Sequence, residues 1–521
     1  MTTVNDQRWK ILAVLCVAVF LVVVDNTVVN VALPTLARDL HASNSALQWI
    51  VDGYSLPFAG LLLAGGGTSD RLGRKRVMTV ALIAFGLFSL YAAYSHNVSS
   101  LLTARALMGA AAAFIFPATL SLLTVSFNDP RERATAFGIW GAVAGAAIAV
   151  GPIVGGALIT HYWFGAIFLI NIPIVIFAVI ATGVVVPESR SAVQRRLDVG
   201  GLFFGTAGVT TLVLAIIEGP SWGWRSPTTL ALFAASAALL VSFTTYELRR
   251  SGPLLDVRVF RNGAFSAGSG AIATSYFCLF GFIFLITQYF QMVRGYSALS
   301  AGVHTLPFAI VTAVMTPIGA LLAQRIGVRH VVSAGLTIMA IALGWAATIS
   351  ASAAYFGPII GSMMVMALGF SLISAPSTTT IMGTLTPEQV GAGAASNETT
   401  RELGGTMGVA IIGSVFSSIF GPQVRAALSH LGLTASQLNV AQRSMAAAQA
   451  TVRRLPRGLS SQPKAEVTRA FMLGLHRGCV IAALIAALVG LVVFRFLPKR
   501  AVQSFTVAPT LEIEVLPVGG A

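Results

Sequence analysis

Apolar runs of about 20 residues, separated by short polar loops, recur along nearly the whole of this chain, and each is long enough to cross a bilayer. In hydrocarbon no water satisfies backbone N–H and C=O groups, so only helices and closed barrels span it. Runs this long and this apolar are helical. The charge content agrees: 10% of the 521 residues are Asp, Glu, Lys or Arg, against roughly a quarter in soluble domains. The sequence therefore predicts an all-α polytopic membrane protein.

Fourteen spans are expected, near 10–33, 46–67, 77–95, 100–126, 134–160, 163–186, 199–219, 228–247, 264–291, 300–322, 329–350, 354–385, 392–420 and 471–497. With the N-terminus inside, most basic clusters fall on the cytoplasmic side, as the positive-inside rule requires. They are Arg71, Arg74, Lys75 and Arg76; Arg131 and Arg133; Arg190, Arg195 and Arg196; Arg249, Arg250, Arg258 and Arg261; Arg325 and Arg329; and Lys499 and Arg500. The net charge of +15 is thus a topology signal, and no nucleic acid partner is expected. Residues 421–470 lie outside in this scheme and are basic, but loops this long translocate regardless of charge. A short surface helix is expected within 438–452.

Two halves are legible. DPRERATAFGIWGAVAGAAIAVGPIVGG, from Asp129, echoes TPEQVGAGAASNETTRELGGTMGVAIIG, from Thr386. The register pairs Gly138 with Ala395, Gly151 with Gly408 and Gly156 with Gly413. A weaker echo links SDRLGRKR, from Ser69, to AQRIGVRH, from Ala323. Duplicated halves meeting at a midplane site are a common transporter plan. The expected organisation is a six-helix half over 1–190, two inserted helices over 191–255, a second six-helix half over 256–500 and a cytoplasmic tail over 501–521.

Glycines crowd Gly138–Gly156, at Gly138, Gly141, Gly145, Gly151, Gly155 and Gly156. Along a membrane helix they would let a neighbour's backbone come close, and Pro152 should bend the helix near Val150–Gly151. A tightly packed helix with no further role and a pivot between moving halves both fit.

Ionisable residues inside apolar runs are costly and face a cavity or a partner. Asp25 follows fourteen residues from Ile11 that are almost all apolar. It is a permanent hydrogen-bond partner of a neighbouring helix or a proton carrier. Arg105, within the fourth run, is its natural counterpart. Asp52 lies in WIVDGYSLPFAG with Trp49 and Tyr54 near it. The rings are membrane-interface markers or faces for an organic cation. Glu398 and Glu402 are four apart on one helix face, with Arg401 between them. They sit in the headgroup layer or line a cavity. Gly66 and Gly73 in GGTSDRLGRKR permit a tight turn, with Asp70 placed to meet a basic partner or a helix N-terminus.

Several stretches carry a family resemblance. Gly145, Gly151, Pro152, Gly155 and Gly156 resemble the fifth-helix antiporter motif of major facilitator superfamily exporters. DNTVVNVALPTL, from Asp25, resembles the first helix of that superfamily's fourteen-helix drug:proton antiporters. WIVDGY resembles the multidrug branch, quaternary-ammonium exporters included. The 66–76 loop resembles the superfamily's loop between helices two and three, with Thr68 in place of the usual apolar residue. The resemblance covers essentially the whole chain. It implies a proton-coupled exporter of amphipathic, cationic or zwitterionic drugs in a bacterial cytoplasmic membrane, monomeric and without cofactor or metal. Asp25, Arg105, Glu398 and Glu402 would serve proton coupling, and Asp52, Trp49 and Tyr54 would serve substrate binding. Gly66, Asp70, Arg71, Gly73 and Arg74, with the fifth-helix glycines and Pro152, would serve gating. A dedicated exporter of one self-made antibiotic or lipid-like metabolite is the alternative, and a non-transporting sensor a third. No Walker A, zinc or nucleophile-elbow motif supports an ATP-driven pump or an enzyme.

Overall fold

The computed structural model describes residues 2–127, 129–190, 198–250, 257–384, 390–455 and 461–497. Among these, every regular element is helical. A first group comprises α1 (Thr2–Asp39), α2 (Asn44–Leu72), α3 (Arg74–Ala93), α4 (Val98–Ser126), α5 (Pro130–His161), α6 (Ala166–Leu169) and α7 (Asn171–Val185). A pair follows, α8 (Val199–Trp222) and α9 (Pro227–Arg249). A second group begins with α10 (Gly263–Gln288), α11 (Ala298–Val303), α12 (Leu306–Ile326), α13 (Val328–Ala346) and α14 (Ile360–Gly383). It ends with α15 (Val390–Leu428), α16 (Ala435–Ala441), α17 (Met445–Arg453) and α18 (Ser461–Phe496).

Helix starts are written in the sequence. Ser43, Asn97, Asp198, Ser226, Asn262, Ser297 and Ser444 each accept a hydrogen bond from a backbone N–H in the first turn of the helix that follows. Such caps answer donors that the helix itself leaves unpaired. Thirteen helices among the described residues are long and apolar enough to cross a membrane, one fewer than expected. The helix outside that set is α2. Its 29 residues suffice in length, but Asp52, three successive glycines and the polar end TSDR dilute its hydropathy.

The repeat reappears as packing. A side chain at Gly151 would meet Thr27 on α1, its Cβ only 3.0 Å from that of Thr27. Gly408, the repeat partner, stands in the same relation to α10, 2.9 Å from Phe277 Cα. A Cβ at Gly156 would come within 2.6 Å of Leu299 Cα on α11, and one at Gly413 within 2.7 Å of Gln48 Cδ on α2. Each of the two repeat helices thus packs on its own half through one glycine and on the opposite half through another. The second echo places Gly73 and Gly327 at matching turns, with φ of 108° and 94°, a region where a Cβ is strained.

Contacts between the groups close one end of the molecule, where residues 40–43 and 294–297 lie. Gln291 Nε2 donates to Val31 O at 2.8 Å, and Leu299 N to Thr160 Oγ1 at 3.3 Å. Above them α16 and α17 tie in: Asn44 N donates to Arg443 O at 2.8 Å and Gln449 Nε2 to Met292 O at 2.7 Å.

Three expectations need correction. Close approach along the whole glycine stretch fails at Gly138, Gly141 and Gly145, which face open space; only Gly151, Gly155 and Gly156 are pressed against other helices. Gly66 is inside α2 rather than in the turn, and its neighbour Gly65 makes the close contact: a Cβ there would come within 3.1 Å of Phe114 Cα. The segment 421–470 is mostly helix: α15 extends to Leu428, α18 starts at Ser461, and two short helices stand where one was expected. Arg195, Arg196, Lys499, Arg500, the tail 501–521 and the side chain of Asp70 lie outside the described residues.

The α1–α5 contact predicts a contrast. Gly151→Leu should overpack that seam, costing about 1–3 kcal/mol, and lower the thermal midpoint in detergent. Gly145→Leu should leave it unchanged. Equal loss from both would contradict the packing described here.

Candidate functional site

Asp25 is fully buried, 0% exposed, midway along α1. Its Oδ2 accepts from Arg105 Nη1 at 2.7 Å and its Oδ1 from Asn171 Nδ2 at 2.7 Å. Arg105, also fully buried, donates through Nε to Ile50 O at 3.2 Å and lies over the Tyr54 ring, 4.2 Å from its centroid. Tyr54 in turn donates to Val22 O at 3.4 Å. Asn171 Nδ2 also reaches Ser89 Oγ at 2.9 Å. Helices α1, α2, α3, α4 and α7 therefore meet at one ion pair. Its geometry is short and charge-assisted, and charges without solvent persist only with such partners.

A second charged group lies on α15. Glu398 Oε2 is 3.3 Å from Arg401 Nη1. Arg401 Nη2 donates to Thr378 Oγ1 at 3.0 Å, and the guanidinium lies over Tyr276, 5.6 Å from the ring centroid. Glu402, one turn on, is half-buried and lies beside Ser55 of α2. Tyr54 and Ser55 are adjacent, so α2 touches the Asp25–Arg105 pair with one residue and the α15 acids with the next.

Asp52 is 0% exposed, and neither carboxylate oxygen has a hydrogen-bond partner among the described residues. Its neighbours one turn away on either side, Gln48 and Ser55, both face α15: Gln48 Nε2 donates to Val409 O and Ala410 O, each at 3.2 Å. Helical geometry therefore turns Asp52 toward α15 as well. Two acceptor atoms are left for a donor the chain does not supply.

Asp52 and the two residues grouped with it in the sequence, Trp49 and Tyr54, point in different directions. Trp49 Nε1 donates to Glu218 Oε1 of α8 at 3.1 Å, and the ring packs with Leu56, Val213, Ile216 and Ile217. Tyr54 belongs to the Arg105 cluster. Five positions on a helix is a turn of about 140°, so Trp49 and Tyr54 occupy opposite sides of α2.

At the α2–α3 turn, Glu188 sits at the N-terminus of α3. Its carboxylate accepts from Lys75 N at 3.2 Å and Arg76 N at 3.1 Å, favoured by the helix dipole. Arg74 N donates to Ser189 O at 2.9 Å, and Arg71 is exposed. Sequence reasoning missed Asn171, Ser55, Glu188 and Glu218. A lone amide in the apolar run AIFLINIPIVIF was the signal for Asn171.

Two groups of helices related by an internal repeat, enclosing paired charges at mid-depth, define a membrane carrier. The Major Facilitator Superfamily model matches residues 15–409. The chain belongs to that superfamily; it is a transporter, not an enzyme. It is 34% identical over 502 residues to the multidrug efflux pump LfrA of Mycolicibacterium smegmatis, covering 95% of this chain and 98% of that one. It is also 34% identical over 455 residues to the methyl viologen resistance protein SmvA of Salmonella typhimurium, covering 86% and 90%. A crystal structure of a bacterial homologue of the human lysosomal transporter Spinster, inward-facing and unoccupied, aligns over 94% of this chain and 98% of that chain with a TM-score of 0.62 at 17% identity.

Asn171→Ala should remove a hydrogen bond to a charged group, worth about 1.5–3 kcal/mol, and shift the pH dependence of transport. Asn171→Asp should disturb it further by placing a second carboxylate beside Asp25. A wild-type pH profile in both variants would mean that the amide does not tune Asp25.

Proposed function

We propose that this transporter is a proton-coupled antiporter that exports amphipathic, cationic drugs from a bacterial cytoplasm by alternating access. The observation that carries this reading is the placement of α2 between two acid-bearing clusters, with Tyr54 on the Asp25–Arg105 pair and Ser55 on Glu402. Whatever changes the charge of one cluster acts on the helix that also touches the other. The multidrug and methyl viologen relatives support a drug substrate, and methyl viologen is a dication.

In this reading the closed end faces outward, both termini are cytoplasmic, and α2 is the fourteenth span. The divisions 1–190, 191–255 and 256–500 are the two halves and the inserted pair of one monomer. Cargo enters from the cytoplasmic end, past the open face of α5 at Gly145, and its cation meets Asp52 or Glu402. Exposure to the outer side delivers a proton to Asp25, which then binds Arg105 less strongly. Glu398 is a second proton candidate. Gly151, Pro152, Gly155 and Gly156 form the pivot on which α5 rocks against α1 and α11. The α2–α3 junction, the end of α2 from Gly66 through Asp70 and Arg71 and the turn at Gly73 to Arg74, latches the cytoplasmic side.

The driving force can be bounded. One proton exchanged for one monovalent cation moves no net charge, leaving the pH gradient at about 1.4 kcal/mol per unit. A second proton adds the membrane potential, about 2.3 kcal/mol per 100 mV.

Asp25→Asn should abolish uphill efflux while the protein stays folded in the membrane, since an amide cannot cycle a proton; uphill export at wild-type rate would make Asp25 structural.

Asp52→Asn should weaken efflux of a cationic dye at least tenfold more than that of a neutral drug, the equivalent of about 1.4 kcal/mol. Glu398→Gln and Glu402→Gln should each reduce transport in part, and the double variant more. Equal loss for both substrates in Asp52→Asn would remove its recognition role, and a fully active double variant would return the α15 acids to the headgroup layer.

A further inference from the structure

The inserted pair carries a recess that the transport reading does not use. It measures about 450 Å³ and is lined by Phe204 of α8 and by Ser242, Thr245, Tyr246, Arg249 and Arg250 of α9. That volume lies within the roughly 300–1,000 Å³ of ordinary small-molecule sites. One end of it is basic. Arg249 is exposed and has no hydrogen-bond or ion-pair partner among the described residues. The Arg250 guanidinium lies over the Tyr246 ring, 5.2 Å from the centroid. It is ion-paired with Asp198, whose Oδ2 is 3.8 Å from Nε and beyond hydrogen-bond range. Asp198 is already occupied as the cap of α8, accepting from Gly201 N at 3.0 Å.

The charge balance favours an anion. Arg258 follows α9 in a 3₁₀ turn and donates to Leu248 O at 2.7 Å, which adds a positive charge at the same end of the pair. Against these stand Asp198 and the buried Glu247, whose carboxylate is turned to Gly201. Among the described residues around the recess, three arginines stand against two carboxylates. Toward the bilayer the walls are apolar. Phe203 and Val241 are each 62% exposed beside it, and Phe204 packs edge-on against Phe203. Only 11% of the apolar stretch of α9 is buried in the protein, so lipid flanks the pair on most sides.

We propose that this recess binds an anionic phospholipid, its phosphate held by Arg249 and Arg250 and its acyl chains lying along Phe203, Phe204 and Val241. Basic recesses between membrane helices on the cytoplasmic side suit such headgroups, because the Coulomb term is not screened by bulk water and the chains are already in hydrocarbon. The Tyr246 hydroxyl, without a hydrogen-bond partner among the described residues, offers a further donor to the phosphate. The cytoplasmic placement rests on the proposed orientation, but binding in symmetric vesicles is read independently of transport.

The test uses the full chain extracted from vesicles of equal phosphatidylglycerol and phosphatidylcholine, with retained lipid counted by native mass spectrometry. Wild-type protein should keep phosphatidylglycerol selectively. Arg249→Gln with Arg250→Gln should lower that retention by roughly tenfold or more and leave phosphatidylcholine unchanged. Ser242→Trp fills the recess while keeping both arginines, and should lower retention equally. Arg249→Lys with Arg250→Lys preserves the charge that sets topology and should retain part of the binding. Unchanged retention in the glutamine variant would overturn the proposal. So would loss in the glutamine variant but not in Ser242→Trp, which would mean diffuse surface attraction. Displacement of the lipid by excess inorganic phosphate would also overturn it, by making the site one for free anions.

Discussion

Two opposite charges with no exposed surface, Asp25 and Arg105, can remain inside a bilayer only because each satisfies the other. Removing either leaves a buried charge whose cost is about 3–5 kcal/mol. The rest of the first helix group is arranged to supply what the pair still needs. Asn171 takes the second carboxylate oxygen, the Ile50 carbonyl takes the guanidinium Nε, and the Tyr54 ring covers its face. One ion pair thereby fixes the relative positions of α1, α2, α4 and α7, and a change in its charge state is felt by all of them.

That effect can reach the second group of helices through α2. Gln48 bonds α15 near one end of the shared seam and Ser55 lies beside Glu402 further along, with Asp52, unpartnered among the described residues, between them. The repeat makes the two halves mechanically equivalent. Gly151 and Gly408 bring α5 and α15 against the first helix of their own halves, while Gly156 and Gly413 bring them against the opposite half. Small residues at these four points let backbones pack without interlocking side chains. Such an interface can shift by rocking rather than by repacking.

The fold was largely readable because hydrocarbon permits so few backbone solutions, and because a charged residue inside an apolar run stands out. Asp25 and Arg105 were visible for that reason, although 80 positions separate them. Asn171 was not. An amide in an apolar run has many harmless uses, and its partner Asp25 lies 146 positions away. Linear closeness misled at α2, where Trp49, Asp52 and Tyr54 are near in sequence but spread around the helix. The glycine stretch misled in another way. Spacing alone cannot say which end of a long helix is against a neighbour, so Gly145 and Gly151 look alike until α1 is in place.

The central claim is that drug and proton move in opposite directions through one carrier. It is tested most directly with purified protein in sealed vesicles, the membrane potential clamped and only a pH gradient imposed, while substrate and internal pH are followed together. Substrate should move uphill against the proton flow, adding substrate should itself drive proton movement, and a protonophore should stop both. Substrate accumulation that ignores the pH gradient, with no proton movement on adding drug, would contradict the account.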